Sequence, residues 1–127
     1  TADEGGIWRI GQLPALAGSM TVDIDFFATA TSGNVQFGVQ ALAYSVGTDA
    51  TAITAAAFAT AVLSTATTVS GTTLVPVRAT VTLTTGAQQD SAVTGDYFVL
   101  KIYRDVSGDT LSGDAEVCAV HLSYAAS

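Results

Sequence analysis

The stretch GDYFVLKIYRDVSGDTLSGDAEVCAVHLSY, residues 95–124, decides the fold class. Phe98, Leu100 and Ile102 alternate with Val99, Lys101 and Tyr103. Beyond an acidic glycine turn, Cys118, Val120, Leu122 and Tyr124 alternate with Val117, Ala119, His121 and Ser123. Successive side chains of an extended chain point to opposite sides, so a period of two marks one face of a sheet and its reverse. The stretch reads as a closing pair of strands joined by the turn. Its first strand is apolar on both sides, because Tyr97, Val99 and Tyr103 stand opposite Phe98, Leu100 and Ile102. A strand of that kind is covered on both faces.

The same grammar extends upstream. Met20, Val22, Ile24 and Phe26 face one way and Thr21, Asp23, Asp25 and Phe27 the other. A turn at residues 31–34 leads into a hairpin partner with Val35, Phe37, Val39 and Ala41 inward and Gln36, Gly38, Gln40 and Leu42 outward. Residues 47–60 lose the period, and their alanines favour a short helical turn around 54–58, with a further strand as the alternative. Residues 62–69 read as an edge strand. Val75, Val77, Ala79, Val81 and Leu83 mark a long strand, with Pro76 confined to an edge or the strand start because it lacks a ladder donor. Residues 84–95 form a polar loop. The expectation is an all-β fold: an antiparallel β-sandwich, jelly-roll-like, of seven or eight strands with at most a short helical turn. One domain spans residues 20–127. Residues 1–19 precede it as a segment with a short strand at 7–10, bounded by Gly5, Gly6 and Gly11. With no initiator Met and no signal-peptide pattern at Thr1, the chain is expected to be processed, trimmed or one domain of a longer protein.

Composition narrows the function. The chain has 127 residues, a net charge of −7 and only 12% charged residues, against about 25% in average soluble proteins. Its surface is therefore Thr, Ser, Gln, Ala and Gly, which suits a subunit packed into an assembly or an extracellular surface protein. Arg9, Arg78, Lys101 and Arg104 are the only basic residues. They cannot build the stripe that neutralises phosphates, which excludes nucleic acid, and they argue against anionic membranes. No apolar run reaches the roughly 18 residues of a membrane span. Cys118 is the single cysteine, so no internal disulfide exists, and its place beside Val120 and Leu122 predicts a buried thiol.

Candidate chemistry is sparse. Asp105, Asp109 and Asp114 cluster in the closing turn and are candidate metal ligands, since Ca²⁺ takes about six to eight oxygens. Their spacing fails the EF-hand pattern, and Asp is a turn residue because its carboxylate bonds nearby backbone N–H groups. Asp23 and Asp25 stand about 7 Å apart on one strand face, a separation compatible with a glycosidase pair, but two solvated residues on a wet sheet face is the favoured reading. His121 is the only histidine and reads as structural. No catalytic motif, phosphate loop or zinc spacing appears, so neither enzyme activity nor a cofactor is expected. Aromatic residues carry more weight. Tyr97, Val99, Tyr103, Leu42 and Tyr44 fall on outward faces and are candidate subunit contacts, ahead of cover by the chain itself. Trp8 and Tyr44 are candidates for stacking on a sugar ring.

Three strings, TSGNVQFGVQALAYSVGTDA (residues 31–50), GDYFVLKIYRD (95–105) and DTLSGDAEVCAVHLSY (109–124), resemble a pattern of tailed-bacteriophage virion proteins. In that pattern a small β-sandwich ends in a Gly-Asp strand closing on Arg-Asp, followed by an Asp-Thr-Leu-x-Gly-Asp-Ala turn and a final strand. The likeness covers roughly residues 20–124. It implies a non-enzymatic structural role in the virion, as head decoration, head fibre or tail-fibre domain. The implied partners are other copies of the chain and other virion proteins. A module recognising host-surface glycan is the alternative.

Overall fold

The computed structural model describes residues 4–125. Among the described residues, nine strands run in the order β1 (Glu4–Gln12), β2 (Ala17–Phe27), β3 (Asn34–Val35), β4 (Phe37–Tyr44), β5 (Val62–Leu63), β6 (Thr67–Thr68), β7 (Val77–Leu83), β8 (Tyr97–Arg104) and β9 (Glu116–Ala125). Single 3₁₀ turns occupy Ile53–Ala55, Ala87–Gln89 and Val106–Gly108. Two antiparallel sheets form a sandwich: sheet A in the order β1-β8-β4-β5 and sheet B in the order β7-β2-β9, with β3 and β6 as a small third pair. The all-β expectation is met. The count exceeds seven or eight because the expected edge strand at 62–69 is broken into β5, which pairs with β4, and β6, which pairs with β3. The helical turn falls at Ile53–Ala55.

The core follows the alternation. Met20, Val22, Ile24 and Phe26 of β2 and Ala79, Val81 and Leu83 of β7 are buried against Phe37, Val39 and Ala41 of β4 and Phe98, Leu100 and Ile102 of β8. The rings of Phe26 and Phe37 meet edge to face across the sheets, 5.1 Å between centroids, an arrangement that matches the positive edge of one ring to the negative face of the other. Pro76 sits just before β7, so no ladder bond is lost.

Strand pairing departs from the expected hairpins. β2 and β4 lie in different sheets, and so do β8 and β9. Both connections cross from one sheet to the other, and they meet at one end of the sandwich. There the carbonyl of Asn34 accepts from the N–H groups of Thr110 and Leu111, and the Asn34 N–H donates to Thr110 Oγ1 at 2.9 Å. Gly33 (φ 109°) is required at this junction, because a Cβ would press into the backbone at Leu111.

The N-terminal segment is part of the sandwich. β1 is a nine-residue strand paired along β8, and Leu13 just after it is buried in the core. Of the glycines read as boundaries, Gly5 and Gly6 are strand positions that admit Tyr103 and Trp8, while Gly11 (φ 80°) sits at an irregularity in the pairing with β8.

Cys118 is a correction. β9 carries a bulge between the pairs Phe26–Val117 and Asp25–Ala119, and Cys118 is the extra residue. One inserted residue reverses the facing of everything before it. Val120, Leu122 and Tyr124 therefore point toward the core as expected, while Cys118 is exposed and its thiol donates to the Asp25 carbonyl at 3.3 Å. Among the described residues no helix is long and apolar enough to cross a membrane.

Candidate functional site

The outward face of sheet A is a grid set by register. Tyr97 lies between Gln12 and Tyr44, Val99 between Arg9 and Leu42, Lys101 between Ile7 and Gln40, and Tyr103 between Gly5 and Gly38. Part of this grid is covered by the chain itself. The Tyr103 ring lies across Gly38, where a Cβ would overlap it, and a Cβ on Gly5 would strike the Tyr103 Cβ. Lys101 Nζ stands 5.9 Å from the centre of that ring, within cation–π range. On the other flank, the segment after β4 folds back over Leu42 and Tyr44. The Tyr44 hydroxyl donates to the Thr51 carbonyl at 2.7 Å, Ala59 N–H donates to the Ala41 carbonyl, and Gln40 Nε2 donates to the Ala59 carbonyl. Leu42, Tyr44 and Tyr103 are thus half-buried by intrachain packing, the arrangement ranked second from the sequence. Tyr97 remains 45% exposed and Ile7 60%, with half-buried Val99 between them. A shallow depression of about 440 Å³ lies beside Ile7, floored by Gly5 and Gly6.

The outward face of sheet B has the opposite chemistry. Thr80 and His121 flank Asp23, and Arg78 and Ala119 flank Asp25. Arg78 binds Asp25 through two bonds of 2.6 and 2.9 Å, Thr80 Oγ1 donates to Asp23 at 2.7 Å, and His121 Nε2 stands 4.0 Å from Asp25. The Arg78 bond holds the Asp25 carboxyl below its ordinary value and raises the guanidinium in turn. The Asp25 carboxylate is therefore kept ionised by its partner, which suits a solvated ion network and not a proton-donating acid.

The acidic turn is built by backbone and arginine chemistry. Arg104, at the end of β8, holds Asp109 through Nε at 2.5 Å and Nη2 at 2.8 Å, and donates to the carbonyls of Leu111 and Gly113. Asp109 also accepts from the Leu111 N–H at 2.9 Å. The Arg104 bond outweighs burial and holds the Asp109 carboxyl below its ordinary range, while the guanidinium is raised by the same bond. Asp105 accepts from the Ser107 N–H and hydroxyl. Asp114 lies at the exposed rim near Arg104. Among the described residues no three His, Cys, Asp or Glu side chains gather so as to hold a metal ion.

Two further sequence candidates are relocated. Trp8 pairs opposite Leu100 and so takes the inner side of sheet A. It is half-buried against the core, its six-membered ring folded over Gly6. With Tyr44 bonded to Thr51, neither aromatic is presented as an open sugar platform. Asp96, next to the quoted Gly95, is buried and accepts from Ser45 Oγ and the Val93 N–H, locking the loop before β8. Sequence reasoning missed Ile7, Arg104 and the paired glycines around Tyr103.

No family model, curated protein or solved structure matches the chain.

Proposed function

We propose that the chain is a non-enzymatic virion structural subunit, a decoration or fibre domain, that binds neighbouring subunits through the outward face of sheet A. One observation carries the reading: in a chain of net charge −7, that grid holds two cations, Arg9 and Lys101, and no carboxylate. The other two basic residues are each bound to an aspartate elsewhere. An apolar patch of Ile7, Val99 and Tyr97 with unopposed positive charge at its edge is complementary to the acidic surface that the rest of the molecule presents, and such complementarity sets partner choice and orientation. The resemblance to phage virion proteins supplies the setting.

Purified particles produced with the surrounding genes test the role. The chain is expected to band with them in a density gradient at a fixed copy number. Recovery of the chain only in the particle-free fraction would contradict it.

A further inference from the structure

A second concave site lies on the other side of β1, between the start of that strand and the start of β9. It is a cleft of about 280 Å³, below the roughly 300 Å³ at which drug-sized ligand pockets begin, so it fits one small group. Phe37 and Ile102 line its depth, Trp8, Arg104 and Val117 its sides, and Glu4 and Asp114 its rim. Gly6 lines the cleft without a side chain to fill it, since a Cβ there would meet the Trp8 ring. Its charge is unbalanced. Asp109, Asp114 and Glu4 all act on Arg104, and Arg104 is already committed to Asp109 and to two carbonyls. Among the described residues, Arg104 is the one cation lining the cleft and it faces three carboxylates, Asp109, Asp114 and Glu4, so negative charge is in excess there.

We propose that this cleft binds an alkylammonium group, with the cation against the Trp8 ring and between the Glu4 and Asp114 carboxylates. The indole is the strongest of the aromatic faces for a cation, because its quadrupole presents negative charge above the ring. Half-burial of Trp8 lowers the local dielectric and strengthens that attraction relative to water. A neutral sugar gains nothing from the surplus negative charge. The group comes either from a free quaternary amine or from a lysine side chain of a partner protein.

Trp8 is the only tryptophan in the chain, so its fluorescence reports on the cleft directly. The full chain is titrated with choline, with N-acetyl-lysine amide and with a neutral methyl glycoside. A saturable change with at least one of the two cations is expected, and none with the glycoside. The double variant Glu4→Gln, Asp114→Asn changes only rim residues and is expected to weaken the response at least tenfold. Tighter binding of choline identifies a free amine as the source, and tighter binding of the lysine derivative identifies a partner's side chain. No saturable response to either cation, an equal response to the glycoside, or an unchanged response in the double variant overturns the proposal.

Discussion

The two sheets turn different chemistries outward. On sheet B, threonines, Asp23, Asp25, Arg78 and His121 form a wet surface whose charges satisfy one another. On sheet A, Tyr97, Val99, Ile7 and the half-covered Leu42, Tyr44 and Tyr103 leave an apolar surface with two cations. The sheets share a core and a strand geometry, so the difference is not demanded by folding. A face that pairs its own charges needs no partner. A face that keeps apolar area and unopposed charge is suited to one.

The largest effect expected on breaking this contrast comes from the two arginine–aspartate pairs. Arg104 and Asp109 have side chains only 14% and 5% exposed, and removing one partner of a buried pair strands the other. Arg104→Ala should cost about 3–5 kcal/mol in denaturant unfolding, because it also releases two carbonyls and unlocks the crossing loop. The equivalent Arg78→Ala on sheet B, with the arginine half-exposed to solvent, should shift the midpoint far less, and less again in high salt. Equal losses would show that the wet face contributes to the fold as strongly as the latch does.

Packing on sheet A gives the next test. Gly38→Ala places a methyl in the Tyr103 ring and should destabilise by about 1–3 kcal/mol, the range for overpacking. Adding Tyr103→Ala should recover part of that loss, since residues in contact are coupled. An additive double variant would mean that the ring does not rest on Gly38.

Acid gives a smaller and separable effect. Asp109 has a carboxyl held below the ordinary 3.8 by Arg104. A group depressed in the folded state binds fewer protons there than in the unfolded chain. Its contribution is therefore fully present above the ordinary value and is lost as pH falls from about 4 toward the lowered folded value. Thermal melts should show a steeper acid decline in the wild type than in Asp109→Asn. Asp25 works in the same direction on sheet B, and its exposure to solvent makes its share the smallest.

Much of this was legible in the sequence, and the failures share one cause. Alternation placed Met20, Val22, Ile24, Phe26, Phe98, Leu100 and Ile102 in the core and Tyr97, Val99 and Tyr103 on the outward face, because the period of two is a local property of the strand. Partners are not local. The turn at residues 31–34 and the acidic loop after Arg104 look like hairpin connections, yet each crosses between sheets, which only the tertiary pairing of the strands reveals. The bulge at Cys118 is invisible for a similar reason: one inserted residue leaves composition unchanged and reverses a facing. Gly5 resembled a break and Gly38 an ordinary outward position because the side chain that needs them, Tyr103, is distant in sequence. The cover over Leu42 and Tyr44 depends on a loop with no period at all.

Sedimentation velocity over a wide concentration range, on a matched pair of variants, tests the central claim. Val99→Lys adds charge to the outward face of sheet A, and Thr80→Lys adds the same charge to sheet B. The account predicts that the wild type self-associates or binds its particle, that Val99→Lys weakens this at least tenfold, equivalent to about 1.4 kcal/mol, and that Thr80→Lys leaves it unchanged. Equal behaviour of the two variants, or a wild type that stays monomeric and does not bind particles, would contradict it.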